Sequence, residues 1–195
     1  QNGRVEFAQK GGLIFTDAID NSAGVDCSDH EVNIKILLDR VVEAGDLTLK
    51  QRNELLASMT EEVGHLVLAD NYYQTQALAV ACHRPTYLLD GQQRLLQWLE
   101  GAGKLNRALE FLPNDDEIAR RRLNKTGLTA PENAVVLAYA KMAVFDDLVA
   151  SNLPDDPYFN RALRAYFPHA LSEKFGEGIG RHPLKREIVA TFITN

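Results

Sequence analysis

The chain has 195 residues, 45% hydrophobic and 25% charged, with a formal net charge of -6. That is ordinary globular composition, enough for one large domain or for one domain and a fragment of another. An acidic chain without a long Lys/Arg stripe argues against a nucleic-acid partner, and no apolar stretch is long enough to give a membrane partner.

Gly11-Gly12 marks a turn. Leu13–Thr16 then reads as a short β-branched and aromatic strand running towards Ile19, of the kind buried in a parallel sheet. No second strand is legible, so its partners are expected upstream of Gln1 or in another chain. Ser28-Asp29-His30-Glu31 has the form of a capping box. It opens a helix with Ile34, Leu37, Leu38, Val41 and Val42 on one face, ended by Gly45. Thr48 with Gln51 is a second capping box, and Thr60 caps a longer helix with Glu61 and Glu62 in its first turn. His83-Arg84-Pro85 closes that helix. A leucine-rich helix follows, with Leu88, Leu89, Leu95, Leu96 and Leu99, and stops at Gly101–Gly103. Asn114 caps the next, with Glu117 at its third position; Thr129 with Glu132 forms a third capping box. Asp156-Pro157 and Pro183 start the last helices.

These elements predict a mainly α fold: an irregular multi-helix domain preceded by a terminal strand-turn fragment of an α/β domain. The chain opens at Gln1 and ends at Asn195 inside a helical pattern, so it is expected to be a piece of a longer polypeptide. The first residues lack a basic region followed by an apolar one, so no signal peptide is read. Cys27 and Cys82 lie far apart, as reduced thiols in a cytoplasmic protein do. The five histidines show no metal-ligand spacing with each other or with cysteine, and no metal site is expected.

The segment "DAIDNSAGVDCSDHEVNIKILL" joins the strand to a helix through small and polar residues. In open α/β sheets ligands bind beyond the carboxyl ends of strands, where small residues let a cofactor approach the backbone. Asn21 offers an amide and a carbonyl, and a helix start at Ser28 offers donors to a carboxylate. Asp17, Asp20, Asp26 and Asp29 oppose an anion there, so cations elsewhere must compensate. The same residues are equally ordinary as a turn and a helix cap.

"TDAIDNSAGVDCSDHEVNIKILL" resembles the end of the dinucleotide-binding domain in the large, multidomain NAD-specific glutamate dehydrogenases. "LTAPENAVVLAYAK" and "HPLKREIVAT" resemble further segments of the same proteins, so the likeness covers almost the whole chain. In the smaller glutamate dehydrogenases the equivalent run is Asn, small, Gly, Gly, Val, two residues, Ser. Here Asn21, Ser22, Ala23, Gly24, Val25 and Ser28 follow it, with Ala23 in place of the first Gly.

The resemblance implies that residues 1–28 end a Rossmann-like dinucleotide-binding domain and that 29–195 form a C-terminal helical domain. It implies NAD as cofactor and oxidative deamination of L-glutamate to 2-oxoglutarate and ammonia, by a cytoplasmic homo-oligomer in the full-length form. Asn21 would hydrogen-bond the nicotinamide end of NAD, Val25 would line the glutamate side-chain pocket, and Ser28 would bond the side-chain carboxylate. The family's catalytic lysine and aspartate, and its Gly-rich phosphate turn, would lie upstream of Gln1, so no catalytic residue is assigned here. The alternative is a helical interaction module that binds no ligand.

Other conspicuous residues read as structural. His30 is expected exposed in a first helical turn, and His65 with Glu61 makes a weak metal pair. Arg120, Arg121 and Arg122, and likewise Lys185-Arg186-Glu187, read as solvated helix faces. Tyr72, Tyr73, Tyr139 and Trp98 are expected in the core or in helix packing.

Overall fold

A computed structural model describes all residues, 1–195. Every regular element is helical: α1 Asn2–Gln9, α2 Asp17–Asp20, α3 Ser22–Glu43, α4 Leu49–Ser58, α5 Thr60–His83, α6 Pro85–Gly101, α7 Asp115–Leu123 and α8 Ala130–Ala150. Two 3-10 turns, Leu153–Asp155 and Pro157–Phe159, lead to α9 Asn160–Tyr166, α10 His169–Lys174, α11 Gly176–Gly180 and α12 Lys185–Thr194. No helix is long and apolar enough to cross a membrane.

The mainly α expectation holds, but the strand over Leu13–Thr16 does not form. These residues are irregular, with Leu13 96% exposed, and Asp17–Asp20 is already helical. A strand needs a hydrogen-bonded neighbour, and this chain supplies none. The turn before it does form: Gly11 has φ +89°, and a Cβ on Gly12 would lie 2.1 Å from the Phe7 ring.

The chain divides into two compact units, residues 1–21 with 72–143, and residues 22–71 with 144–195. α3 runs without a break through residue 28. In the first unit, Leu89, Leu96 and Leu99 of α6 meet Ile118 of α7 and Val135, Val136 and Ala143 of α8. Leu96, Leu99 and Ile118 are fully buried, each contributing about 1.5–3 kcal/mol relative to exposure. In the second unit, Ile34, Leu37 and Leu38 of α3 pack with Met59, Leu163, Phe167, Leu171, Ile179, Ile188 and Val189.

Several helix starts follow local chemistry. Thr48 and Gln51 complete their capping box, and Asn114 accepts from the Glu117 amide at 2.9 Å. At Thr129 the carboxylate of Glu132 serves as the cap, accepting from the Thr129 amide at 2.7 Å and its hydroxyl at 2.8 Å. Thr60 differs from expectation. Met59 before it stays in the αR region and is 3% exposed, so Thr60 lies within α5 and donates to the Ala57 carbonyl instead.

The arginine cluster splits. Arg120 and Arg122 are exposed, but Arg121 is buried and forked onto Glu132, at 2.6 and 2.9 Å. Burial alone would pull the Arg121 guanidinium down; the hydrogen bonds and charges of Glu132 and Glu117 together outweigh this and raise it. Arg186 likewise turns inward, donating to the Val149 and Ser151 carbonyls at 3.0 and 2.8 Å. Tyr72, Tyr73 and Trp98 are exposed rather than packed, and half-buried Tyr139 donates to Glu110 at 2.8 Å.

Candidate functional site

The quoted segment is divided between the two units, residues 17–21 in the first and 22–38 in the second. In the first unit, Arg4 donates to the Phe15 carbonyl at 3.1 Å, and its guanidinium pairs with both Asp17 and Asp20. It is a cation that compensates those two carboxylates. Asn21 follows α2, its amide donating to the Asp17 carbonyl at 2.9 Å, and its side chain is exposed. The exposed carboxamide presents both a donor and an acceptor.

The helix expected to start at Ser28 starts at Ser22. Its buried face explains the extension. Buried His30, Asn33, Ile34, Leu37, Leu38 and Val41, preceded by half-buried Asp26, form one stripe of helical period. Tertiary burial along this stripe overrides the local capping signal. Ser28 is therefore inside the helix, and its hydroxyl donates to the Gly24 carbonyl at 3.1 Å. Val25 and Ser28, three residues apart, share the outer face, and Val25 is 65% exposed. The donor of Ser28 is committed to backbone, while its oxygen lone pairs remain accessible.

His30 is not exposed: its ring is 2% exposed and stacks on Tyr166, with centroids 4.3 Å apart. Burial lowers its pKa against the raising influence of Asp29 and Asp70. The Tyr166 hydroxyl donates to Asp29 at 2.7 Å and accepts from Asn33 at 2.9 Å. Burial and the Asp29 bond push that phenol up. His182, also buried, makes two contacts: Nε2 to the Asn33 carbonyl and Nδ1 to the Leu184 amide, both at 3.1 Å.

One constellation was missed by sequence reasoning. Single ligand atoms of Asp26, His30 and Asp70 all lie within 4.8 Å of one another. The four-residue spacing of Asp26 and His30 was a visible signal. Its third member comes from α5, which no local spacing reveals. Elsewhere in the second unit a cleft lined by Leu37, Arg40, Arg164, Phe175 and Arg181 contains none of Asn21, Val25 or Ser28.

Residues 1–81 match the family profile described as bacterial NAD-glutamate dehydrogenase, catalytic domain, and residues 125–195 match glutamate dehydrogenase, C-terminal. The chain is 54% identical over 195 residues to the NAD-specific glutamate dehydrogenase of Pseudomonas aeruginosa and 51% identical over 195 to that of Halomonas elongata. To the protein of the same name from Mycobacterium tuberculosis it is 48% identical over 193 residues. These alignments take in 99 to 100% of this chain but 12% of each relative. Both profiles and all three relatives agree: the chain matches a portion of NAD-specific glutamate dehydrogenases and spans 12% of the length of each of these relatives.

Proposed function

We propose that this chain is part of an NAD-dependent glutamate dehydrogenase that converts L-glutamate to 2-oxoglutarate and ammonia. The carrying observation is identity of 48 to 54% to relatives of that name across essentially the whole chain. NAD supplies the hydride acceptor when bound. Asn21 suits its nicotinamide end, because an exposed carboxamide complements another carboxamide donor for acceptor. Val25 offers apolar surface to the methylenes of glutamate, and Ser28 would donate to the side-chain carboxylate by turning its hydroxyl hydrogen from the Gly24 carbonyl to the substrate. Their shared outer face on α3 supports that pairing, since both reach solvent together.

In this reading residues 1–28 continue the cofactor-binding domain and the later helices brace it. The proton-transfer groups are supplied by the rest of the enzyme, and the setting is a cytoplasmic homo-oligomer. The test is Ser28→Ala in the full-length enzyme. Ser28 donates only to its own helix, so the change leaves stability within about 0.5 kcal/mol. Loss of a hydrogen bond to a carboxylate, about 1.5–3 kcal/mol, raises KM for glutamate roughly tenfold to a hundredfold. An unchanged KM with an unchanged melting temperature removes Ser28 from the substrate site.

A further inference from the structure

We propose that Asp26, His30 and Asp70 form a divalent-cation site, best suited to Zn²⁺, that clips α3 to α5. Asp26 and His30 are four residues apart on α3 and share its inner face; Asp70 comes from α5. One ligand atom from each lies within 4.8 Å of the others, with His30 Nε2 4.0 Å from Asp26 Oδ1. Ligand atoms about 2.1 Å from a shared ion are at most about 4.2 Å apart, so a small inward shift completes the set.

A second observation is independent of the spacing. The His30 imidazole is 2% exposed, turns Nε2 towards Asp26, and is held from behind by stacking on Tyr166. A buried imidazole whose ring is fixed by a neighbouring side chain, with one nitrogen facing two carboxylates, has the orientation a histidine ligand needs. Two carboxylates and one imidazole from two helices are a donor set that suits a divalent cation. The helices are held in register next to the cluster. Ser22, one turn before Asp26, hydrogen-bonds Asn71, which follows Asp70.

The donor set selects the ion. One imidazole with two carboxylates and no thiolate favours a borderline cation over soft Cu(I), and Zn²⁺ stands above Mn²⁺ in intrinsic affinity. Three protein ligands leave room for a water. The cluster lies on the inner face of α3, whereas Val25 and Ser28 lie on the outer one. The site is therefore a structural clip, and it stands or falls independently of the substrate reading.

The test uses the full-length polypeptide, stripped with a chelator and then loaded with Zn²⁺ alone, with Mg²⁺ as the hard-ion control. Bound metal is counted by elemental analysis and affinity measured by competition with a chromophoric chelator. The parent is compared with Asp26→Asn and Asp70→Asn, near-isosteric changes on separate helices, so that a folding defect in one leaves the other informative. We expect one Zn²⁺ per chain that both variants bind at least tenfold more weakly, and a Zn²⁺-dependent rise in melting temperature confined to the parent. A parent that takes up no Zn²⁺, or uptake equal in parent and variants, overturns the proposal.

Discussion

Replacing Glu132, a buried carboxylate of the first unit, tests how its charge is balanced. It is 1% exposed, receives both terminal nitrogens of Arg121 at 2.6 and 2.9 Å, and caps α8 through Thr129. Glu132→Gln leaves the buried Arg121 cation with Glu117 at 3.1 Å and the Gly127 carbonyl at 3.2 Å. Breaking one side of a buried pair costs about 3–5 kcal/mol, and the surviving Glu117 contact places this change near 3. Arg121→Met costs about as much, because the Glu132 charge then keeps only Thr129 as its partner. The double variant is different. No charge is stranded, the position-132 amide oxygen still accepts from Thr129, and the thioether fills the guanidinium space. Its cost should be about 2–3 kcal/mol against a sum of about 6, a coupling of roughly 3 kcal/mol. Trp98 is the only tryptophan, and α6, which carries it, supplies core leucines to the same unit. Urea unfolding of the chain followed by its fluorescence therefore reads this pair. Additivity of the two single changes to within about 0.5 kcal/mol would refute the reasoning.

Two further outcomes are expected. His182 is held below its ordinary pKa chiefly by burial, with Arg40 lowering it further and the Asn33 carbonyl and Glu187 opposing. The unfolded chain therefore binds the proton more readily, so this contribution is complete above about pH 6.5 and is lost as pH falls below it. Urea midpoints by circular dichroism between pH 7.5 and 5 should fall more steeply in the parent than in His182→Gln; parallel profiles would contradict the assignment. Gly127→Ala places a Cβ 2.6 Å from the Pro85 carbonyl oxygen, a backbone atom that cannot swing away. It should lower the Trp98-monitored stability by about 1–3 kcal/mol, and an unchanged midpoint would show that this contact yields freely.

What could be read from the sequence was what is decided within a few residues. Thr48 with Gln51, and Asn114 with Glu117, are complete local devices, and both form. Ser28 with Glu31 looks the same on paper, but the start of α3 is set by a buried stripe that includes His30 and Asn33. That burial depends on Tyr166 and His182, remote in sequence, which contact those two residues. Arg121 could not be told from Arg120 and Arg122 by composition, because its partner Glu132 sits on another helix. A strand is a relation between segments, so the apolar run at Leu13–Thr16 could suggest one without being able to make it. For the candidate site, the family motif named Asn21, Val25 and Ser28. The periodicity that puts Val25 and Ser28 on the outer face appears only once α3 is extended back to Ser22.

That extension has a mechanical consequence. With 22 residues, α3 is a rod of about 33 Å. Its middle is clamped in the core at Ile34, Leu37 and Leu38, and its first two turns are tied on their inner side alone, by Ser22 to Asn71 and by Asp29 and His30 to Tyr166, so the outer face follows any tilt of the rod. Ser28 sits about 15 Å along the rod from Leu38, so a tilt of about 4° at the clamp moves the hydroxyl by about 1 Å. Misplacements of that size cost an enzyme about a hundredfold when they reach a positioned group. Volume changes at Ile34 or Leu38, far from any ligand, should therefore steer the outer face of α3 more strongly than changes in the loop before it.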